Sequence, residues 1–438
     1  MQNHNANPVA LLPLVLFLAL FLGVGFYFQS QGVDFAFYQL PAPAAMLPAV
    51  LLAVFLSRLS LDKTIAEFVQ GAGHSNIITM CLIYLMAGAF SSVAKASGGV
   101  DATVALGLQL VPASFILPGL FIIAAFIATS MGTSMGTLAA LAPIASGVAL
   151  QAGIEPALMA GVLVSGAIFG DNLSIISDTT IAATRTQGCD MKDKFRANIK
   201  LALPAALLVI VLLLTLGVPA EVTPPDSSNL WLVLPYVLIL ILAVAGMNVF
   251  TVLTIGIVAS ALLGMLFGEY QVVSIGKDVY NGFTQMQEVF ILSLLLGGLS
   301  ALMRQQGGLV FLVNAISRLV KATALPKELG YSIGIAGLIS SVNACVANNT
   351  VAIIVAGDTV KSLAKEGGIE AKQAASLVDI FACVLQGILP YGAQLLLLGA
   401  SFSISPVDII PFAFYCYLLA IITILSFVWH YIRHKKGA

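Results

Sequence analysis

The stretch GDNLSIISDTT at residues 170–180 decides the reading of this chain. It places Asp171, Asn172, Ser174, Ser177, Asp178, Thr179 and Thr180 inside residues 157–184, a run that is otherwise apolar. A carboxylate within an apolar segment of membrane length is costly to keep and marks a functional site by default. Carboxylates, hydroxyls and the carbonyls freed where a helix breaks are the oxygen ligands a hard cation takes, and a carboxylate also accepts a proton. The plainer alternative has Asp171 capping a half-helix and Asp178 near the surface, capping a helix or pairing with Arg185.

The surrounding composition is that of a membrane protein. Of 438 residues, 59% are hydrophobic and 9% charged, the mean hydropathy is +1.02 and the formal net charge is -1. Soluble domains carry about 25% charged residues, so this chain could not cover a soluble surface. A soluble enzyme, a nucleic-acid-binding protein and a disordered chain are excluded. The cysteines (Cys81, Cys189, Cys345, Cys383, Cys416) are scattered without CxxC or His spacing, which reads as free thiols, not disulfides or a metal site. GxxxxGK[ST], HExxH, GxSxG and a GxGxxG followed by a strand pattern are absent. An ATP-driven pump or an intramembrane hydrolase is disfavoured, no cofactor is expected, and the protein reads as a transporter and not an enzyme.

A spanning helix needs about 20 mostly apolar residues. Residues 8–29, 41–57, 75–94, 201–218, 229–247, 250–268, 287–303 and 408–431 qualify. The first lacks a basic flank and an A-x-A site, so it is not read as a cleavable signal. Four further apolar stretches are interrupted: 113–150 at TSMGTSMGT (129–137), 157–184 at GDNLSIISDTT, 331–364 at SVNACVANNT (341–350) and 374–403 at QGILPYGAQ (386–394). With 113–150 and 331–364 as re-entrant hairpins of 13–16-residue arms and the N-terminus inside, 17 Lys and Arg fall on the cytoplasmic side. Lys95 and Lys277 alone fall outside. Lys and Arg favour the cytoplasm, so the expected place is the cytoplasmic (inner) membrane, with both termini cytoplasmic and 185–200 a solvated cytoplasmic loop or an amphipathic surface segment. Trp231, Trp429 and Tyr431 fit an interfacial aromatic belt against the lipid. His74 reads as a helix cap, and Glu288 and Asp278 as outer-interface residues.

Displaced by 209 residues, the sequence matches itself. LMAGAFSSVAKASGG (85–99) lies over LLLGGLSALMRQQGG (294–308), and GIE recurs at 153–155 and 368–370. Each copy has five crossings, an odd number, so the second enters the membrane in the opposite sense. The expected fold is an all-α polytopic membrane protein of two inverted five-helix repeats, 1–218 and 229–438, each with a re-entrant hairpin and a broken helix. A polar periplasmic linker, 219–228, joins them. Inverted repeats with discontinuous helices are characteristic of secondary transporters, whose sites lie near the midplane where the breaks meet. Broken helices survive in lipid only where they line a cavity or bind something.

The candidate site is assembled from those breaks. Asp171, Asn172, Ser174, Asp178 and Thr179 come from the acidic motif, Thr133 and Thr137 from the first hairpin tip. Asn343, Asn348, Asn349 and Thr350 come from the second tip. In the last broken helix Gln386 and Gln394 replace acids, so the coupling acid is asymmetric. Asp379, in the first half of that helix, is a secondary acid that packing against Lys372 or a backbone cap explains equally well. For sodium itself, Asp171, Asn349 and Thr350 are the expected ligands. The spacing of Gly132 and Gly136 alone is as well explained by close helix packing.

At GDNLSIISDTT the sequence resembles the NhaC-type sodium/proton antiporter family of the wider ion-transporter superfamily, with SGG, TSMGT and SVNACVANNT extending the resemblance over nearly the whole chain. Family members often carry Pro after the first Ser of the motif, where this chain has Ile175. The resemblance implies exchange of sodium ions and protons, two hairpins and two broken helices in a mobile core, and alternating access. The family also contains relatives that move amino acids or carboxylates. A sodium-coupled transporter of a small amino acid or organic acid is therefore the alternative, favoured by the amides of the second half. Sodium and protons are the expected partners, and a homodimer is left open.

Overall fold

A computed structural model of the chain describes residues 6–33, 36–216, 229–322 and 325–437. The linker 219–228 lies outside them, as do the side chains of Tyr431, Arg433, Lys435 and Lys436. The described residues are helical throughout, without a strand. The first half comprises α1 (Leu12–Ser30), α2 (Ala42–Phe55), α3 (Leu61–Ala72), α4 (Ser75–Ala96), α5 (Gly99–Leu110), α6 (Ile116–Met131), α7 (Ser134–Ala152), α8 (Pro156–Leu173), α9 (Asp178–Gln187) and α10 (Met191–Thr215). The second comprises α11 (Leu234–Val244), α12 (Val249–Phe267), α13 (Val272–Gln285), α14 (Gln287–Gln305), α15 (Gly308–Ala322), α16 (Lys327–Val346), α17 (Asn349–Gly367), α18 (Ala371–Gln386), α19 (Ala393–Phe402), the single turn α20 (Pro406–Ile409) and α21 (Phe414–Gly437). Among the described residues nine helices are long and apolar enough to cross a membrane, up to ten if the bent pair 393–402 and 406–412 is one span. The chain is an all-α polytopic membrane protein.

The two halves repeat element by element. The bounds of α17 and α19, Asn349–Gly367 and Ala393–Phe402, fall 215 residues after those of α7 and α9, Ser134–Ala152 and Asp178–Gln187. Packing is reciprocal: α3 lies on α14 as α13 lies on α4, and α9 meets α17 and α18 as α19 meets α7 and α8. Where α4 meets α14, Cys81 Sγ approaches Phe290 O at 3.7 Å and Ser293 Oγ approaches Tyr84 Oη at 3.5 Å, and both pairs are 209 residues apart. Gly88 and Gly282 let α4 and α13 cross closely, because a Cβ on Gly282 would run into the carbonyl of Gly88. Such small-residue crossings suit helices packing in lipid.

Four short helices depart from the sequence reading: α3, α5, α13 and α15 lie where no element was expected. In α3, Leu61, Ile65, Phe68 and Val69 recur at helical spacing between Asp62, Lys63 and Glu67, a pattern too polar and too short for a span. Of the hairpin arms, α6 runs 16 residues, within the expected 13–16, whereas α7, α16 and α17 run 19, 20 and 19, and 113–131, α7 and α16 are among the helices long and apolar enough to cross. Each break needs only two residues, so helix fills most of TSMGTSMGT and SVNACVANNT. Gly132 is left-handed at φ 70° and Thr133 extended at φ -154°; Ala347 (φ 51°) and Asn348 (φ -148°) repeat this. Thr133 Oγ1 accepts from Gly136 N and Asn348 Oδ1 from Val351 N, capping the second arms.

The run 185–200 is not a solvated loop. α9 continues to Gln187 and α10 starts at Met191, ten residues before the apolar run that foretold it. Lys194, counted on the cytoplasmic side, is 1% exposed and lies inside the protein. His74 caps α4 by accepting from Asn76 N. All five cysteines are free, four of them buried. Large apolar side chains such as Phe55, Phe126, Val211, Leu266 and Trp231 point outward, as lipid contact requires.

Candidate functional site

Asp171 occupies the last turn of α8, 5% exposed. Gly170 before it lets α8 lie directly on α6, since a Cβ there would meet the carbonyl of Ala125 and the methyl of Ala128. The carboxylate is thereby brought to the first hairpin tip. Asp171 Oδ2 accepts from Ser134 N at 3.2 Å and from Ser134 Oγ at 2.7 Å, and Asp171 Oδ1 accepts from Ser177 Oγ at 2.6 Å. Ser134 is the first residue of α7 and Ser177 the N-cap of α9. Two helix N-termini, each with unpaired N–H groups and a positive dipole end, therefore face one carboxylate.

The break is braced on both sides. Ser174 Oγ donates to Thr129 O at 2.9 Å, tying it to the end of α6, and Thr180 Oγ1 donates to Ser174 O at 2.7 Å. Ser177 and Thr179 share a hydroxyl contact of 2.8 Å. The second half reaches in through amides. Gln386 Nε2 donates to Gln394 Oε1 at 2.8 Å, and Gln394 Nε2 donates to Ser134 Oγ at 3.1 Å. A continuous chain of hydrogen bonds thus runs from α18 through α19 and α7 to Asp171.

Beside it lies a second polar cluster that the sequence reading did not assemble. Lys194 Nζ and Asp379 Oδ2 are 2.7 Å apart, at 1% and 0% exposure. The ammonium also donates to Asn172 O at 2.9 Å and to Thr180 Oγ1 at 2.7 Å. Asn172 Nδ2 and Asn198 Nδ2 donate to Asp379 Oδ2 at 2.7 and 2.9 Å, and Asn198 Nδ2 also reaches Asn172 O at 3.0 Å. The physical need is plain: α8 ends at Leu173, and its final carbonyls must find donors away from water. Lys194 and Asn198 supply them, with the positive charge at the negative end of the helix dipole. Asp379 pairs with Lys194 and not with Lys372, which meets Glu370 at 2.6 Å.

Of the expected residues, Asp171, Asn172, Ser174, Thr179 and Gln394 are joined directly or through one neighbour. Gln386 joins through Gln394. Asp178 is exposed at the start of α9. Thr133 caps α7 and Thr137 donates to Thr133 O at 3.0 Å. Asn343 Nδ2 donates to Ala382 O at 2.9 Å, and Asn348 caps α17. Asn349 and Thr350 are half-buried at the second tip, where Asn349 Oδ1 accepts from Thr350 N. Lys194 and Asn198 were missed. The signal was present: 194, 198, 202, 205 and 209 form one buried stripe on α10, so the apolar face of the span extends back through both.

Two cavities approach from different ends of the hairpins. One of about 960 Å³ is lined by Lys95, Asp101, Asp278, Glu288 and the far end of α7. The other, about 560 Å³, is lined by Asp193, Arg196, Lys200, Glu328 and Lys372, where α10, α16 and α18 begin.

Residues 5–218 match the Na+/H+ antiporter family. The chain is similar to the Na(+)/H(+) antiporter NhaC of Bacillus subtilis (strain 168), 25% identical over 395 residues that cover 84% of this chain and 86% of that protein. NhaC of Alkalihalophilus pseudofirmus is 25% identical over 371 residues, 78% of this chain and 80% of its own. The malate-2H(+)/Na(+)-lactate antiporter of B. subtilis (strain 168) is also 25% identical, over 85% of this chain and 78% of its own. Residues 5–218 thus match the Na+/H+ antiporter family, and over most of its length the chain is similar to the NhaC antiporters.

Proposed function

We propose that this protein is a secondary active transporter of the cytoplasmic (inner) membrane that exchanges sodium ions for protons at Asp171. The observation that carries the proposal is the carboxylate itself, buried in a helix break and held only by the hydroxyls of Ser134 and Ser177 and one backbone N–H. These hydroxyls can turn their lone pairs toward a cation or donate to the empty carboxylate. A proton and a sodium ion compete for the same oxygens, so loading one expels the other. Kinship to the NhaC antiporters supports sodium and protons as the exchanged ions.

In this reading residues 1–218 and 229–438 are inverted copies joined by the linker 219–228, both termini are cytoplasmic, and the hairpins are re-entrant. The recurring helix bounds, the reciprocal packing and the Lys and Arg asymmetry support the inverted copies and the cytoplasmic termini. The larger cavity then faces outward and the smaller inward, each ending at the base of one hairpin. Sodium ligands from the second tip, Asn349 and Thr350, would join Asp171 only after a movement of α17 toward it.

A second reading, coupled movement of a small organic acid or amino acid, is favoured by the amide chain Gln386–Gln394–Ser134 and by kinship to the malate/lactate antiporter. Proteoliposomes separate the two. Sodium alone should drive proton movement under exchange, whereas solute coupling requires the solute. An Asp171→Asn protein keeps the shape and loses the charge. It should fold and insert yet lose sodium-driven proton flux, and a wild-type rate with a wild-type pH profile refutes the role of Asp171.

A further inference from the structure

We propose that the Lys194 ammonium fills a second monovalent-cation site, so that the protein supplies one of its two site cations from its own chain. The inference goes beyond exchange at Asp171 and does not depend on it.

The surroundings of Nζ are those of a bound cation. Its three close partners are all oxygens, one each from a carbonyl (Asn172), a hydroxyl (Thr180) and a carboxylate (Asp379), at 2.7 to 2.9 Å. They come from both halves of the first broken helix and from α18, the elements that enclose ions where helices break. Two unpartnered oxygens belong to residues of the same cluster. Asn172 Oδ1 and Asn198 Oδ1 are buried without a hydrogen-bond partner, although the amide nitrogens of the same groups touch Asp379. Buried acceptors without donors are rare. The ammonium is thus held by a carboxylate, a carbonyl and a hydroxyl, the donor types of a hard monovalent ion. A lysine fills this place from within the chain, its charge tethered at the fourth residue of α10.

Shortening Lys194 to Ala should vacate the place and leave Asp379 to recruit a free cation. The test uses full-length protein in detergent with Asp171→Asn in every variant, so that binding at Asp171 cannot contribute. Thermal unfolding is followed in ammonium, methylammonium, sodium and choline chlorides at equal ionic strength. The Lys194→Ala protein should melt below its parent in choline. Ammonium should restore it saturably, raising the folding constant about 100-fold at 100 times the dissociation constant. The parent, which keeps Lys194, should not respond, nor should Lys194→Ala combined with Asp379→Asn. Identical melting in ammonium and choline overturns the proposal. So does a response that survives Asp379→Asn, or failure to recover the Lys194→Ala protein even when it is extracted in ammonium.

Discussion

Asp379→Asn isolates the charge of the Lys194–Asp379 pair with little change of shape. The two groups are 2.7 Å apart at 1% and 0% exposure. At an effective dielectric constant of about 20 their attraction is about 6 kcal/mol, and desolvation of both ions offsets much of it. Asparagine keeps one oxygen for the ammonium but strands a full charge among neutral ligands. Breaking a buried pair in this way costs about 3–5 kcal/mol. Lys194→Met strands the opposite charge, which keeps the two amide donors Asn172 and Asn198, and should cost less. The double variant removes both charges, so its loss should fall at least ~2 kcal/mol short of the sum of the single losses. Denaturant unfolding of the purified proteins in mixed micelles measures all three. A cost below ~1 kcal/mol for Asp379→Asn, or single costs that add up to the double, would show that the pair is not a coupled buried ion pair.

Ser134→Ala removes the hydroxyl that bonds Asp171 and receives Gln394 while keeping the backbone N–H. The sodium concentration for half-maximal exchange should rise about tenfold, the equivalent of ~1.4 kcal/mol, with insertion unaltered; an unchanged value in flux assays removes Ser134 from the site. Gly282→Ala should destabilise by ~1–3 kcal/mol, because the new methyl meets the Gly88 backbone, which cannot step aside; a wild-type unfolding midpoint contradicts the close crossing of α4 and α13. Cysteines placed at Asp190 and Lys277 should react with an impermeant maleimide from the cytoplasmic and the outer side respectively; labelling of both from one side breaks the inverted arrangement.

Much of the helix pattern could be read directly, because breaks in a membrane protein are written in polar residues. Gly132–Thr133 and Ala347–Asn348 fall inside the two tip motifs, and Ser174–Ser177 inside the acidic one. Burial was harder to read. Charge density around 185–200 suggested solvent, whereas one face of that stretch continues the buried stripe of α10 and carries Lys194 and Asn198 into the core. Counting Lys and Arg sorts loops across a bilayer but cannot identify the one whose partner lies 185 residues away. Asp171 and Asp178 look alike within the motif, yet the two are one buried and one exposed. The two lie on opposite sides of the break, and the four residues between α8 and α9 turn only the first toward the hairpin. The short helices were missed for a related reason: α3 and α13 expose apolar residues such as Leu61, Val69, Val272 and Tyr280, as surface helices against lipid do.

The asymmetry of the two halves has a consequence in charge. Among the described residues the buried charged side chains are Asp171, Lys194 and Asp379. The position 215 residues after Asp171 holds Gln386, and the position 215 residues after Lys194 holds Ile409, so the repeat supplies a frame twice but ionisable groups unequally. With both carboxylates ionised the cluster carries one negative charge in excess. Carrying a net charge through hydrocarbon costs several kcal/mol at the least. Under the exchange proposed at Asp171, one sodium ion or one proton there would cancel that charge and leave the loaded cluster neutral in either case. In that reading a neutral cluster would change its exposure from one side to the other where the empty one is held back, and that separates exchange from leak. Lys194 is essential to this balance. Without it two cations would be needed for neutrality.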